Sequence, residues 1–331
     1  MKSYLSRRTF LNNSLKGIAG TCIGISLLDT ALASTIPRFF TNPGFLNSEE
    51  LFFKISLAQW SLHRSFNDNR LKAEEFPAIA KEQFNIDAVE YVNSLYAKYA
   101  TDSKFWGELK QHATDHGVKS LLMMVDDEGE FGNPNDKQRK KAVENHYKWV
   151  DHAKTLGCHS IRVNGFGDGN KEEVGNALVD GMGALGEYAA KVDINVVIEN
   201  HGLYSSDGKW VVDVITKIGK DNCGTLPDFG NFCTARKWGS TQDGTCPEVY
   251  DRYLGVKEML PFAKGVSAKS YRFDENGQET TIDYGKMLSI VKESGFTGYI
   301  GIEYEGSELS EPDGIIATKN LLISEGQKIS D

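Results

Sequence analysis

From residue 52 onward, short apolar runs alternate with longer amphipathic stretches, and the alternation repeats eight times. The apolar runs cover 53–59, 88–91, 120–125, 160–163, 195–199, 223–228, 265–269 and 299–303. Most are rich in Val, Ile or Leu and too short for helices, as expected of strands buried on both faces. Helical periodicity fills the intervals at 74–84, 103–116, 137–156, 174–191, 210–220 and 285–293. Gly117 and Gly157 fall just past two of these stretches, where a left-handed C-cap residue belongs. Regular strand–helix alternation predicts a parallel sheet with helical crossovers. Eight units in roughly 270 residues predict an α/β fold of the closed (β/α)8 TIM-barrel type, as a single domain over 52–331. No G-x-G-x-x-G follows the first strand and no P-loop lysine motif is present, which counts against a nucleotide-binding open sheet. A long polar insert at 230–247 is expected to lie over the site as a loop.

The first 33 residues break this pattern. Ser6-Arg7-Arg8-Thr9-Phe10-Leu11 precedes an apolar run at 17–28, and Ala31-Leu32-Ala33 stands directly before Ser34. A charged start, a short apolar core and an A-x-A site describe a cleaved signal peptide. The paired arginines resemble the twin-arginine export motif. About 12 apolar residues fall short of the roughly 20 that cross a bilayer, so no permanent membrane anchor is expected. The expectations are cleavage after Ala33, a linker over 34–51, passage through the twin-arginine translocase, and a periplasmic or otherwise exported product.

Composition adds exclusions. The 331 residues are 40% hydrophobic and 25% charged with 33 glycines, an ordinary globular profile that excludes disordered, collagen-like and coiled-coil chains. Formal net charge is −9, and loss of the leader removes four basic residues and one acid to leave −12. Beyond residue 16 Lys and Arg cluster only briefly, at 137–141, and the net charge is acidic, so nucleic acid is an unsuitable partner and a neutral carbohydrate a more natural one. Four cysteines follow the leader: Cys158, Cys223, Cys233 and Cys246. An oxidising compartment permits a Cys233–Cys246 bridge. Twin-arginine substrates fold before export in a reducing cytoplasm, however, and free thiols are expected. No C-x-x-C pair is present to build a zinc–thiolate site.

Barrel enzymes place their chemistry at the carboxyl ends of the strands. Those ends here are Gln59-Trp60-Ser61-Leu62-His63, Glu90, Asp126-Asp127-Glu128, Arg162-Val163-Asn164, Glu199-Asn200-His201, Asp228-Phe229-Gly230-Asn231, Lys269 and Glu303-Tyr304-Glu305. So many ionisable groups at one rim exceed what a purely structural barrel needs.

The run Val197-Ile198-Glu199-Asn200-His201-Gly202, with Pro227-Asp228-Phe229-Gly230-Asn231 and Gly301-Ile302-Glu303-Tyr304-Glu305, resembles the xylose isomerase-like TIM-barrel superfamily. That superfamily includes sugar and sugar-phosphate isomerases and epimerases, hydroxypyruvate isomerase, inosose dehydratase and apurinic endonucleases. The resemblance implies a divalent metal held by Glu199, Asp228 and Glu303. The family's strand-seven His-x-Lys aligns with Ser267-Ala268-Lys269, so the histidine ligand is replaced by Ser267. Oxygen donors favour Mn²⁺ or Mg²⁺ over Zn²⁺.

Three buried carboxylates demand a cation, either a metal or Lys269. The plainer alternative is a rim salt-bridge network. His201, two residues beyond Glu199, is the candidate acid/base, and the corresponding histidine is a base in some dehydratases of the superfamily. Lys269, Glu199 and Glu303 complete the candidate catalytic set. Trp60, His63, Glu90, Asn164, Asn231 and Trp238 are candidate substrate-binding residues, the indoles as stacking surfaces or as lid packing. His112, His116, His146, His152 and His159 lie in or beside helical stretches and are expected to be solvated. The implied chemistry removes a proton next to a carbonyl to form an enediolate. Reprotonation gives an isomerase or epimerase; loss of a leaving group gives a lyase or hydratase on keto-sugars or keto-glycosides. A non-catalytic carbohydrate-binding barrel is the alternative of another class, and the acidic charge disfavours an endonuclease.

Overall fold

A computed structural model describes residues 51–330; the leader, its cleavage site and all but the last residue of the linker lie outside the described residues. Eight parallel strands run β1 (Lys54–Ala58), β2 (Ala88–Val92), β3 (Lys119–Met124), β4 (Ser160–Asn164), β5 (Asn195–Glu199), β6 (Cys223–Leu226), β7 (Val266–Ser270) and β8 (Tyr299–Tyr304). Hydrogen bonding follows the order β6-β5-β4-β3-β2-β1-β8-β7. Parallel bridges Thr225↔Ala263 and Asp228↔Ser267 join the two ends, so the sheet curls shut into the expected barrel. The eight strands match the apolar runs to within two residues at every end. β6 stops at Leu226 because the next residue, Pro227, has no N–H and the Asp228 N–H is taken by the Asn200 side chain at 2.7 Å.

The helices are α1 (His63–Asn67), α2 (Phe76–Phe84), α3 (Ser103–Asp115), α4 (Asp136–Leu156), α5 (Lys171–Ala190), α6 (Gly208–Ile218), α7 (Arg252–Met259), α8 (Tyr284–Glu293) and α9 (Glu311–Ser330). Local sequence fixes where they begin. Asp102, Asn135, Asp207, Asp251 and Asp283 each accept a backbone N–H at a helix start, and Asn170 with Glu173 forms a capping box on α5. Gly117 and Gly157 adopt φ of 66° and 87°, the left-handed geometry that ends a helix. Helices α1, α7 and α9 were not read from the periodicity; α1 is a five-residue turn, and Glu311 at the start of α9 accepts from the Arg64 and Ser65 amides at its beginning.

Two expectations are corrected. Cys233 and Cys246 form a disulfide with Cα atoms 5.8 Å apart, while Cys158 and Cys223 are free and buried. The insert folds back on itself, with Cys233 N–H donating to Gly239 and Thr234 N–H to Glu248, which brings the two sulfurs together. His146 is buried, not solvated, because Ala142, Val143, His146, Trp149, Val150 and Ala153 form the inward face of α4. Burial pushes its imidazole down to about 4. Among the described residues no helix is long and apolar enough to cross a membrane.

The disulfide closes a loop of 13 residues' separation, for which chain entropy gives on the order of 3 kcal/mol. Replacing both cysteines by serine is expected to lower unfolding free energy by ~2–4 kcal/mol in urea titrations. Non-reducing peptide mapping that finds Cys233 and Cys246 both alkylatable in the folded protein would contradict the pairing.

Candidate active site at the carboxyl ends of the strands

Glu199 is the last residue of β5, Asp228 lies two residues beyond β6, and Glu303 is the penultimate residue of β8. Their carboxylates converge, each offering an oxygen within 4.8 Å of the others, and all three are buried. Asp228 is the most firmly held. Its Oδ1 accepts from the Gly230 and Asn231 amides at 2.8 Å each, while Asn200 clamps its backbone from both sides. Gly230 has no side chain for a reason of space: a Cβ there would stand 2.6 Å from Lys269 Cγ.

Two cations and one hydroxyl of the chain meet these carboxylates. Ser267 Oγ donates toward Asp228 Oδ2 at 2.6 Å and Glu303 Oε2 at 2.8 Å; its single proton serves one of them at a time. Lys269 faces Glu303 across the β7–β8 ladder, with Nζ 3.2 Å from Glu303 Oε2, 3.1 Å from Glu305 Oε1 and 3.9 Å from Asp228 Oδ2. Burial alone would drive its proton off, but the three carboxylates outweigh that and hold its pKa well above the ordinary value. Arg162 on β4 bridges Asp126 Oδ1 at 2.5 Å and Glu199 Oε2 at 2.8 Å. The second contact is an ion pair without hydrogen-bond alignment, so both Arg162 Nε and Glu199 Oε2 are buried and unsatisfied as hydrogen-bonding atoms.

Five carboxylates thus face two cations. Burial, with Glu303 adding repulsion, lifts Asp228 to about 6 against the pull of Lys269. Burial likewise lifts Glu199 well above the ordinary carboxyl value, because Glu303 and Asp228 add to a penalty that Arg162 only partly offsets. The arrangement lacks positive charge. An all-oxygen donor set at this spacing, with Glu199 Oε2 accepting no hydrogen bond, fits a hard divalent cation. Ser267 presents a hydroxyl from the strand-seven position expected to lack a histidine.

His201 stands beside this cluster, its Nδ1 2.7 Å from Asn164 Oδ1 and 3.6 Å from Glu199 Oε2. Asn164 Nδ2 donates to Asp126 Oδ1 at 2.7 Å, and a carboxylate only accepts, so the Asn164 carbonyl faces His201. The imidazole therefore carries its proton on Nδ1 and a lone pair on Nε2. Burial first, then Arg162, keeps its pKa well below the ordinary value and the ring neutral.

The other residues named from sequence divide. Asn231 reaches Glu199 Oε1 at 3.4 Å, and Trp238 packs edge-to-face against His201 with ring centroids 5.0 Å apart. Trp60 and His63 stack on each other at 4.7 Å, and His63 lies 4.0 Å from Glu311. Glu90 lies inside the barrel, accepting from Ser56 at 2.6 Å in space left by Gly301, where a Cβ would stand 2.6 Å from its carboxylate. Sequence reasoning assigned no role to Arg162, Asp126, Asn200 or Glu305. Their strand-end positions, and the two-residue spacing of Arg162 and Asn164 on one face of β4, were the available signals.

This barrel belongs to a known class. The xylose isomerase-like TIM barrel family matches residues 78–325, and the chain belongs to that family. Among solved structures, the IolI protein with a bound zinc atom superposes with a TM-score of 0.62 at 16% identity, over 83% of this chain and 99% of that one. A 3-keto-D-glucoside 4-epimerase from E. coli gives 0.59 at 12% identity, over 82% and 99%. These likenesses are of fold. The 3′-dehydrocarminate deglycosidase alpha subunit of a Microbacterium species is 40% identical over 68 residues, which is 20% of each chain.

Glu90 gives a test of the interior electrostatics at a carboxyl outside the triad, to which Glu303 adds repulsion. Burial, outweighing the Ser56 bond, raises its carboxyl from 4.5 to about 7. A raised pKa means that the folded protein keeps a proton the unfolded chain has lost. The associated stability is complete below 4.5 and lost as pH rises through 7, on the order of 3 kcal/mol in all. Glu90→Gln is expected to match the parent near pH 4 and exceed it by pH 8 in urea titrations. Parallel pH profiles for the two proteins would contradict this.

Proposed function

We propose that the protein is a carbohydrate isomerase or epimerase that removes a proton next to a sugar carbonyl, with a divalent cation at the rim. The observation that carries this reading is the convergence of the Glu199, Asp228 and Glu303 oxygens within 4.8 Å, beside a neutral histidine. Glu199, Asp228 and Glu303 would hold the cation, with Ser267 next to two of them, and Mn²⁺ or Mg²⁺ suits these donors better than Zn²⁺. Such an ion supplies Lewis-acid stabilisation for oxygens that gain charge.

The chain's own groups do the rest. His201, its Nδ1–H fixed by Asn164, offers Nε2 to take the proton from carbon and return it elsewhere. Lys269, fully buried and protonated, adds fixed positive charge near Glu303 and Asp228. Asn231 and Asn200 keep the β5 and β6 ends in register. The same proton abstraction followed by loss of a leaving group is elimination from a keto-glycoside. The 68-residue likeness to a deglycosidase subunit favours this second reading, and the fold likeness to an epimerase named for a 3-keto-glucoside points to the same substrate class. We further infer export through the twin-arginine translocase, from Arg7-Arg8 and Ala31-Leu32-Ala33; a mature protein beginning elsewhere than Ser34 would sink that inference.

The test is NMR in D₂O on a panel of keto-sugars and keto-glycosides. Deuterium is expected to enter the carbon next to the carbonyl. Chelation should remove the activity and Mn²⁺ or Mg²⁺ restore it, and His201→Asn should lower turnover by roughly 10²–10⁴. Full turnover after exhaustive chelation, with the ion shown to be gone, would overturn the metal and leave Lys269 as the cation of the site.

A further inference from the structure

The insert after β6 does more than lie over the rim. Its backbone rests directly on Gly202, the residue after His201: a Cβ there would stand 2.4 Å from the Arg236 carbonyl oxygen and 2.6 Å from the Trp238 nitrogen. An antiparallel bridge Gly202↔Lys237, the Leu203 N–H donating to Arg236 at 2.9 Å, and the Cys233–Cys246 disulfide hold it there. At the tip Trp238 adopts φ of 70°, a left-handed conformation that a bulky side chain takes only when its surroundings impose it. The strain does not serve to bury the indole, which stays 41% exposed. It instead places the ring edge-to-face with both His201, at 5.0 Å, and Phe166, at 5.3 Å.

Beside these rings lies a cavity of about 190 Å³, lined among others by Asn164, Phe166, Trp238, Lys237, Asp127 and His146. It adjoins the reacting centre through Asn164, which holds His201. Whole small-molecule sites occupy roughly 300–1,000 Å³, so this space suits one ring and not an entire substrate. Its walls combine two aromatic rings with polar groups. Lys237 lies 4.8 Å above the Phe166 ring and 3.1 Å from Glu130, and the His146 Nδ1–H is spent on the Ala142 carbonyl, leaving Nε2 as an acceptor. Aromatic faces with acceptors at their edge match a flat ring bearing hydroxyl groups.

We propose that this crevice is a subsite for the second ring of a glycoside, so that the substrate is a sugar carrying an aglycone and not a free monosaccharide. This rests on the reading of the His201 rim as the place where a sugar reacts. Trp238 is then a specificity-determining residue that touches the aglycone.

The test is binding to the full chain, by calorimetry and saturation-transfer NMR, of D-glucose, cellobiose and 4-nitrophenyl β-D-glucopyranoside. At least one two-ring probe is expected to bind tenfold or more tightly than D-glucose, with saturation transferred to the ring beyond the glucose. Trp238→Ala should bring that affinity down to the level of D-glucose, roughly a tenfold loss, and Trp238→Phe should restore most of it. Preference for the nitrophenyl probe assigns the subsite to an aromatic aglycone, and preference for cellobiose to a second sugar. Equal binding of all three probes, no detectable binding of the two-ring probes, or an unaltered Trp238→Ala variant with native circular dichroism would overturn the proposal. Because the readout is binding, Trp238-dependent capture without turnover would refute the enzymatic reading alone.

Discussion

Three carboxylates with oxygens within 4.8 Å of one another, all removed from water, are the constraint around which this barrel's rim is organised. Like charges at that spacing in a buried site cannot all ionise without compensation. The chain answers with Arg162 from β4 and Lys269 from β7, each placed between two or more acidic groups. The answer is incomplete, since five carboxylates outnumber two cations and Asp228 and Glu199 bind their protons more tightly than ordinary carboxyls. A soft or sulfur-seeking ion finds no ligand here, whereas a hard divalent ion finds its preferred donors.

The surrounding structure serves that arrangement. Asn200 takes both backbone groups of Asp228 beyond the end of β6, and the Asp228 carboxylate turns onto the Gly230 and Asn231 amides. Asn164 hydrogen-bonds both the Asp126–Arg162 pair and the His201 ring. The ring's proton position follows from this chain of donors and acceptors, not from its own titration. The insert after β6 completes the rim by carrying Trp238 to the far side of His201.

The eight strands were legible because a strand buried on both faces reads as an uninterrupted apolar run, and each run survived as a strand. Each member of the triad sits at or near a strand end, where polarity interrupts such a run, and the resemblance to xylose isomerase-like barrels singled these three out from the other polar strand ends. What the sequence did not disclose is cross-strand pairing: that Lys269 faces Glu303 follows from the β7–β8 register, and the Arg162–Asp126–Glu199 bridge from three neighbouring strand ends. His146 was misread although its signal was present, since 142, 146, 149, 150 and 153 share one helical face. The disulfide was misread for a different reason. A reducing compartment of folding favours free thiols, while the pairing is decided by the way the insert doubles back.

The central claim is that the rim is short of positive charge and accepts a hard divalent cation at Glu199, Asp228 and Glu303. Its most direct test is the melting temperature of metal-stripped protein with and without Mn²⁺, alongside Asp228→Asn. Ligand at a hundred times its Kd stabilises the folded state by about 2.7 kcal/mol, so a rise of several degrees is expected for the parent and little or none for the variant. Identical melting temperatures for the parent with and without saturating Mn²⁺ or Mg²⁺ would contradict the account.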